Sequence, residues 1–187
     1  AGHLPLGTFD WKLGTITGFD EREEVIAFNK EHFDGNLVLG KLPWHVNLPE
    51  NSFDIIVMND ILQYVEQDAW ALEKAKGLLK EDGILIVLVP AYEFLKNKEE
   101  ENDLVIRHYT SSELQLRLDQ AGLYIEKQSY YNFFLFPFVA LNRFLDKLTN
   151  EDDDDFSLPG FLDNLLNKLL GCILRSERFL LNFMNLP

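Results

Sequence analysis

The sequence predicts an α/β fold: a doubly wound, mostly parallel sheet with helices on both faces, followed by a C-terminal helical appendage. Short apolar segments alternate with longer amphipathic ones in the order strand, helix, strand, strand, helix, strand, which is typical of such a sheet. Several of the apolar segments end in polar residues. In a parallel sheet the carboxyl ends of the strands form the crevice that binds ligands, so these polar residues are candidate site residues.

Composition limits the possible functions. The chain has 187 residues, 47% of them hydrophobic, which is enough for one core with an appendage. Its net charge of −14 argues against a nucleic-acid-binding surface and against attraction to anionic lipid. The single cysteine, Cys172, fits a reducing, cytoplasmic environment. The longest apolar run covers nine residues, 133–141, against the roughly 20 that a transmembrane helix needs.

The first predicted strand runs from Gly14 to Asp20 and follows a short helix over 3–12. Asp20 ends this strand, so its carboxylate is placed to accept hydrogen bonds from both hydroxyls of a ribose. A glycine-rich turn is expected one helix upstream of such a strand. At that position this chain has Gly2, eighteen residues before Asp20.

The next elements follow the same alternation. A helix is predicted over 21–33 and a strand over 36–40. The segment Phe53 to Met58 is almost continuously apolar, which predicts a strand covered on both faces. It ends in Asn59 and Asp60, again polar residues at a carboxyl end; for Asp60, capping of the next helix is the alternative role.

Further elements complete the predicted core. A helix over 66–80 ends at Asp82-Gly83, and a strand over 84–89 ends at Pro90. Thr110 and Glu113 form a capping box that begins a helix ended by Gly122, and a strand is predicted over 123–130.

The appendage is distinguished by composition. We expect the core to occupy residues 1–131 and the appendage 132–187, with the five acids of 151–155 as a solvated linker. Leucines and an isoleucine at helical spacing over 162–174 predict an amphipathic helix. The segment after residue 129 is rich in aromatic residues, for which we favour packing between core and appendage. The alternatives are an apolar acceptor pocket and contact with a membrane interface, which the negative net charge disfavours. The residues are Tyr130, Tyr131, Phe133, Phe134, Phe136 and Phe138.

Four stretches resemble class I S-adenosylmethionine-dependent methyltransferases, of the type 11 and type 12 kind that act on small molecules. A fifth, Arg107-His108-Tyr109-Thr110 before a helix, also fits that pattern. The resemblance covers most of residues 2 to about 145. The stretches are Ala1-Gly2-His3, Gly18-Phe19-Asp20, the strand and exit from Ser52 to Leu62, and the helix-to-strand turn from Leu78 to Leu85.

The resemblance implies a Rossmann-like fold, S-adenosylmethionine as cofactor and a small, perhaps apolar methyl acceptor. It places the cofactor against six residues, and it implies His108 and Tyr92 as candidate general bases. No histidine or cysteine spacing indicates a metal site. The implied cofactor-binding residues are Gly2, Asp20, Lys41, Leu42, Asn59 and Asp60.

The chain also departs from the family pattern. Lys41-Leu42 stands where an acidic and a small residue often meet the adenine, and Gln63-Tyr64 replaces a common Glu-His pair. The first strand, most of the glycine-rich loop and the last strand are missing, so we expect this to be a fragment of a longer enzyme. The alternative function is a catalytically inactive α/β module whose C-terminal helices bind a partner.

Overall fold

The computed structural model describes residues 14–96, 105–131, 136, 137 and 140. Gly2, the acidic linker and the amphipathic stripe of 162–174 lie outside these residues. The first described elements are strand β1 (Thr17–Asp20), helix α1 (Glu23–Asn29) and strand β2 (Asn36–Leu39). The helix predicted over 21–33 is therefore shorter at both ends, and the helix predicted over 3–12 lies outside the described residues.

The second group of elements begins with strand β3 (Phe53–Asn59) and a short 3-10 turn (Leu62–Tyr64). Helix α2 (Asp68–Leu78) leads directly into strand β4 (Leu79–Leu88). A second 3-10 turn (Glu93–Leu95) and helix α3 (Ser111–Gln120) follow.

The strands pair in parallel, as predicted for an α/β sheet. β1 pairs with β2, so that Asp20 lies opposite Leu39, and β3 pairs with β4, so that Asn59 lies opposite Leu88. Among the described residues these are two separate two-stranded sheets.

One predicted boundary and one predicted strand were wrong. The helix over 66–80 does not end at Asp82-Gly83, because α2 ends at Leu78 and β4 begins at Leu79. Phe53 pairs with Leu79 but Ile55 pairs with Ile84, so the intervening residues form an irregularity within β4. The strand over 123–130 is also not formed: alternation in sequence does not make a strand unless a neighbour accepts its backbone hydrogen bonds.

Helix α3 begins and ends as the sequence predicts. The Thr110 hydroxyl accepts from the Glu113 amide at 3.3 Å, and the Glu113 carboxylate accepts from the Thr110 amide at 2.8 Å. These contacts lower the pKa of Glu113 below its ordinary value, because the backbone and then the hydroxyl of Thr110 donate to the charged form. Gly122 follows the helix with φ of 69°, a conformation that glycine adopts without steric cost.

The core lies between one face of the β3–β4 sheet and the helices α2 and α3. Tyr109 joins this core from the segment before α3. Leu42, from the loop after β2, packs against the same cluster. The buried members of the cluster are Met58, Leu62, Ala71, Leu72, Ala75, Tyr109 and Ala121.

The other face of the β3–β4 sheet is exposed. Ile55 pairs with Ile84 and Val57 with Ile86, so all four side chains point to the same side. Their exposed fractions are 57%, 48%, 45% and 43%, in the order Ile55, Ile84, Val57, Ile86. The expectation that both faces of this strand are covered is wrong for the part of the chain that the structure describes.

The chain divides into two compact units. The first contains residues 1–90 and 105–124, and the second contains residues 91–104 and 125–187. The predicted division at residue 131 stays a prediction. Of the predicted site residues, only Tyr92 belongs to the second unit.

Candidate functional site

The carboxyl ends of β1 and β2 bring two of the predicted residues, Asp20 and Lys41, to one edge of the sheet. The Gly40 amide donates to the Asp20 carbonyl oxygen at 3.0 Å, which continues the parallel pairing beyond the strand. Lys41 follows directly, and its Nζ lies 3.2 Å from Oε2 of Glu21. Asp20 and Lys41 therefore lie at one edge of the sheet, and both side chains are reachable from solvent.

The carboxylate of Asp20 is held in a fixed orientation by Arg22. Oδ1 accepts from the Arg22 amide at 2.9 Å and from Nε at 3.1 Å, and Oδ2 accepts from Nη2 at 3.3 Å. The hydrogen bond to Asp20 raises the pKa of Arg22 above its ordinary value. Oδ2 carries a single long bond and the side chain is 27% exposed, so the carboxylate can still accept from a ligand hydroxyl.

The loop after β2 turns back on itself. The Lys41 amide donates to the His45 carbonyl at 3.1 Å, and the His45 amide donates to the Lys41 carbonyl at 2.7 Å. Between them Leu42 is half-buried against the core cluster, whereas Lys41 is exposed. Leu42 thus anchors the loop and leaves Lys41 at the surface.

The carboxyl ends of β3 and β4 hold Asn59 and Asp60. The Asp60 amide donates to the Leu88 carbonyl at 3.1 Å, and the residue has φ of 49°, which is uncommon for a residue other than glycine. The N-cap positions of the 3-10 turn and of α2 are Ile61 and Gln67.

A segment of residues 105–109 lies against the residues that follow β3 and β4. Its Ile106 amide donates to the Gln63 carbonyl at 2.8 Å, and its Tyr109 amide donates to the Pro90 carbonyl at 2.9 Å. His108 lies between these two attachment points and is only 7% exposed. The segment thus brings His108 to the same edge of the sheet as Asp60.

A buried polar network fastens this segment to both helices. Asp68, in the first turn of α2, lies 2.6 Å from Nη1 of Arg107 and 3.2 Å from Nε of Arg117. Its Oδ2 is also 3.1 Å from the Tyr109 hydroxyl. Sequence reasoning missed this network because Asp68 looks like an ordinary acid at a helix start; the only signal was Arg107 and Tyr109 two positions apart in a short segment.

The remaining predicted positions are placed as follows. Tyr92 has φ of 58° and belongs to the second unit, and Gly2 lies outside the described residues.

No group of three or more His, Cys, Asp or Glu residues in the described ranges is arranged to hold a metal ion. Within the same ranges, no helix is long and apolar enough to span a membrane.

The family described as "Methyltransferase domain" matches residues 4–136, which is most of the chain. The chain belongs to this family. The match confirms the family predicted from the residues. Among curated proteins, no sequence matches the chain at a significant level.

Solved structures of methyltransferases share the fold. A protein from Bacillus halodurans described as a methyltransferase is 18% identical, with a TM-score of 0.56 over 81% of this chain and 73% of its own. An S-adenosylmethionine-dependent methyltransferase from Aquifex aeolicus is 22% identical, with a TM-score of 0.51 over 63% of each chain. These similarities confirm the α/β fold class.

A third structure is a complex of Haloferax volcanii between the Trm112 methyltransferase activator and a protein described as a methyltransferase. It is 16% identical, with a TM-score of 0.57 over 64% of this chain. This chain covers 56% of the length of that one, so it spans little more than half of such a relative.

Proposed function

We propose that the protein transfers a methyl group from S-adenosylmethionine to a small-molecule acceptor. The observation that carries the proposal is membership in the methyltransferase domain family over residues 4–136. The geometry supports it, because an oriented and accessible carboxylate stands at the carboxyl end of β1, where this fold class holds a ribose. The net charge of −14 argues against a nucleic acid as the acceptor.

The described residues fit the cofactor. Asp20 would accept hydrogen bonds from the ribose hydroxyls, Lys41 and Leu42 would hold the adenine, and Asn59 and Asp60 would hold the sulfonium end. When bound, S-adenosylmethionine supplies a methyl group attached to a positively charged sulfur. The neutral thioether formed on methyl transfer is a good leaving group. The protein's share of catalysis is then mainly positioning, because an in-line displacement requires the acceptor atom to be held at the methyl carbon.

A base is needed only for an acceptor that is poorly ionised. His108 is the candidate of the first unit, since the segment 105–109 holds it at the edge that carries Asp60. In that case the His108 imidazole would take up the proton that the acceptor oxygen or nitrogen loses when it receives the methyl group.

Replacement of Asp20 tests the cofactor site. We expect Asp20→Ala to weaken binding of S-adenosylhomocysteine by about 1.5–3 kcal/mol, because a charge-assisted hydrogen bond is lost. This corresponds to a rise in Kd of about tenfold to 150-fold, measured by isothermal titration calorimetry. An unchanged Kd would overturn the ribose assignment.

Asp34→Ala is the matched control. Asp34 is an exposed acid just before β2, at the amino end of the same two-stranded sheet. The substitution makes the same change of charge at the wrong end of the strands, so the Kd should stay at the wild-type value. Equal losses in both variants would indicate a long-range effect of charge rather than a site at Asp20.

The exposed apolar face of the β3–β4 sheet favours a second candidate function. Four half-exposed aliphatic side chains on one face are typical of a surface that binds another protein. A catalytically inactive interaction module would carry such a surface and have no cofactor site. Wild-type calorimetry separates the two functions, because the module gives no heat with S-adenosylhomocysteine.

A further inference from the structure

A surface cavity of about 250 Å³ lies along helix α2, within the first unit. The helix lines it with Trp70, Glu73, Lys74, Gly77 and Leu78. Positions 70, 73, 74 and 77 have the spacing of one helix face, and the residues that α2 buries in the core lie on another face. The cavity is therefore on the side of α2 that faces away from the core.

The loop after β2 forms the other wall of the cavity. Its alternate residues Val46, Leu48 and Glu50 line the cavity, as expected where a chain runs extended beside a helix. Just beyond them, the Asn51 amide donates to the Gly77 carbonyl at 3.0 Å, which fastens the end of the loop to the end of α2. The cavity thus reaches the amino end of β3, whereas the candidate cofactor site is at the carboxyl ends of the strands.

One wall of the cavity is an aromatic ring in a fixed orientation. Trp70 packs edge to face against Trp44, with the ring centroids 4.2 Å apart and the ring planes at 80°. Trp70 is nevertheless 38% exposed, so part of its ring is open to a ligand. The face of an indole ring attracts positive charge, and tryptophan is the strongest of the aromatic side chains in this respect.

The charged side chains of the cavity also favour a cation. Glu50 and Glu73 are exposed, and among the described residues neither carboxylate forms an ion pair. Lys74 is the single basic residue of the lining, so two carboxylates stand against one ammonium group. The net charge of −14 adds a general attraction for cations.

Gly77 leaves the cavity open where a side chain would otherwise project into it. Glycine is a poor helix former, yet Gly77 lies within the last turn of α2. Its backbone is helical, and an added Cβ would meet no atom of the described residues within 4 Å. Neither backbone conformation nor packing among these residues requires glycine here, whereas a ligand that approaches the helix backbone does.

The size and lining of the cavity limit the ligand. Sites for drug-sized ligands begin at about 300 Å³, so this cavity is too small for S-adenosylmethionine and suits a smaller molecule. Aliphatic side chains, those of Val46, Leu48 and Leu78, form part of the lining. They offer no acceptors to the three N–H groups of a primary ammonium, but they can contact alkyl groups.

We propose that this cavity binds a small organic cation with an alkylated ammonium group. The ring of Trp70 and the carboxylates of Glu50 and Glu73 attract its positive charge, and its alkyl groups contact the aliphatic side chains. The site is independent of the proposed methyl transfer, because none of the residues assigned to the cofactor lines the cavity.

The test uses choline as the probe and 3,3-dimethylbutan-1-ol as its neutral counterpart, in which carbon replaces the charged nitrogen. Ethanolamine is the counterpart with a primary ammonium. Binding to the whole chain is followed by nuclear magnetic resonance, through the amide signal of Gly77 and the indole N–H signal of Trp70. Choline should shift both signals saturably, and both counterparts should bind more weakly.

Three substitutions separate the contributions to choline binding. Trp70→Leu removes the ring and should raise the Kd about twofold to fivefold, the range for a partly exposed cation–π contact. Glu73→Gln should raise it by up to about fivefold, because an attractive charge is lost. Lys74→Gln should lower it, because a repulsive charge is lost. Filling the cavity by Gly77→Leu should abolish binding.

Glu31→Gln is the control for net charge. Glu31 is an exposed acid that follows α1, and it does not line the cavity. Its substitution changes the net charge by the same amount as Glu73→Gln, so the Kd for choline should stay at the wild-type value. Equal effects of the two substitutions would show general attraction of cations by the chain and overturn the site.

Other outcomes would also overturn the inference. These are no saturable shift at Gly77, equally tight binding of either counterpart, wild-type affinity in a folded Trp70→Leu variant, or weaker binding in Lys74→Gln. If Trp70→Leu proves unfolded by circular dichroism, the charge variants at the exposed positions 73 and 74 decide. Choline shifts at Asp60 that S-adenosylhomocysteine reverses, without a shift at Gly77, would place choline in the cofactor site instead.

Discussion

Asp68 is a buried carboxylate, with its side chain 5% exposed, and its charge is balanced by two arginines. Burial of an unpaired charge is costly, so removal of one partner of such a group destabilises a protein strongly. Here the cost is avoided because Arg107, Arg117 and Tyr109 converge on one oxygen, Oδ2. The network holds the segment 105–109, and with it His108, at the edge of the sheet.

Tyr109→Phe removes one hydroxyl from this network without changing the ring. We expect a loss of about 1 kcal/mol in the free energy of unfolding at neutral pH, because the hydroxyl lies within hydrogen-bonding distance of both Asp68 and the Leu62 carbonyl. Urea unfolding followed by circular dichroism measures it. Tyr124→Phe, at an exposed position, should cost nothing measurable, and equal stability of both variants would contradict the role of the hydroxyl.

The same variant should reveal a pH dependence. Burial, and then the charge of Asp68, raises the pKa of Tyr109 above its ordinary value. The stability that comes from keeping this tyrosine neutral is fully present below the unfolded pKa of about 10 and is lost as the pH rises above it. The difference between wild type and Tyr109→Phe should therefore narrow above about pH 10.

The elements that the sequence predicts well are those set by neighbouring residues. The capping box at Thr110 and the glycine at position 122 depend on contacts within four residues, and both were predicted correctly. The wrong predictions depend on distant partners. The start of β4 at Leu79 is set by pairing with Phe53, and the segment 123–130 lacks the strand neighbour that its alternation implied.

In the candidate site, too, local features could be predicted from the sequence and contacts between distant residues could not. Asp20 at the end of its strand could be predicted because strand and carboxylate are adjacent in sequence, and Arg22, two residues on, orients it. The Asp68 network could not be predicted, because its other members lie 39 residues or more from Asp68 in the sequence. They become neighbours only through the fold.

Hydrogen exchange tests the pairing of the strands. In a parallel strand, successive amides point to opposite sides, so a strand with one neighbour has only alternate amides hydrogen-bonded within the sheet. Among the described residues β3 has one neighbour, β4. We therefore expect alternating slow and fast exchange along 53–59 by nuclear magnetic resonance, with uniformly slow exchange at the buried Ala71, Leu72 and Ala75 of α2. Uniform protection along β3 would show that a further strand pairs there.

For the whole molecule, an exposed apolar face and a large net charge have opposite effects on the association of copies of the chain. The face formed by Ile55, Val57, Ile84 and Ile86 favours association of copies through the hydrophobic effect. The charge of −14 opposes it, because every copy repels every other. Since salt screens repulsion but does not weaken apolar contact, the balance between them is set by ionic strength.

We accordingly expect the chain to associate as the salt concentration is raised from about 0.01 M to about 1 M, over which the screening length falls from about 30 Å to about 3 Å. Sedimentation velocity measures the shift. The double variant Val57→Thr and Ile86→Thr keeps β-branched side chains on a cross-strand pair but makes the face more polar, so it should remain closer to monomeric at high salt. Leu116→Gln, at a 54% exposed position on α3, is the control and should associate like the wild type. Equal salt-induced association in all three would place the contact elsewhere, and association that decreases with salt would show it to be electrostatic rather than apolar.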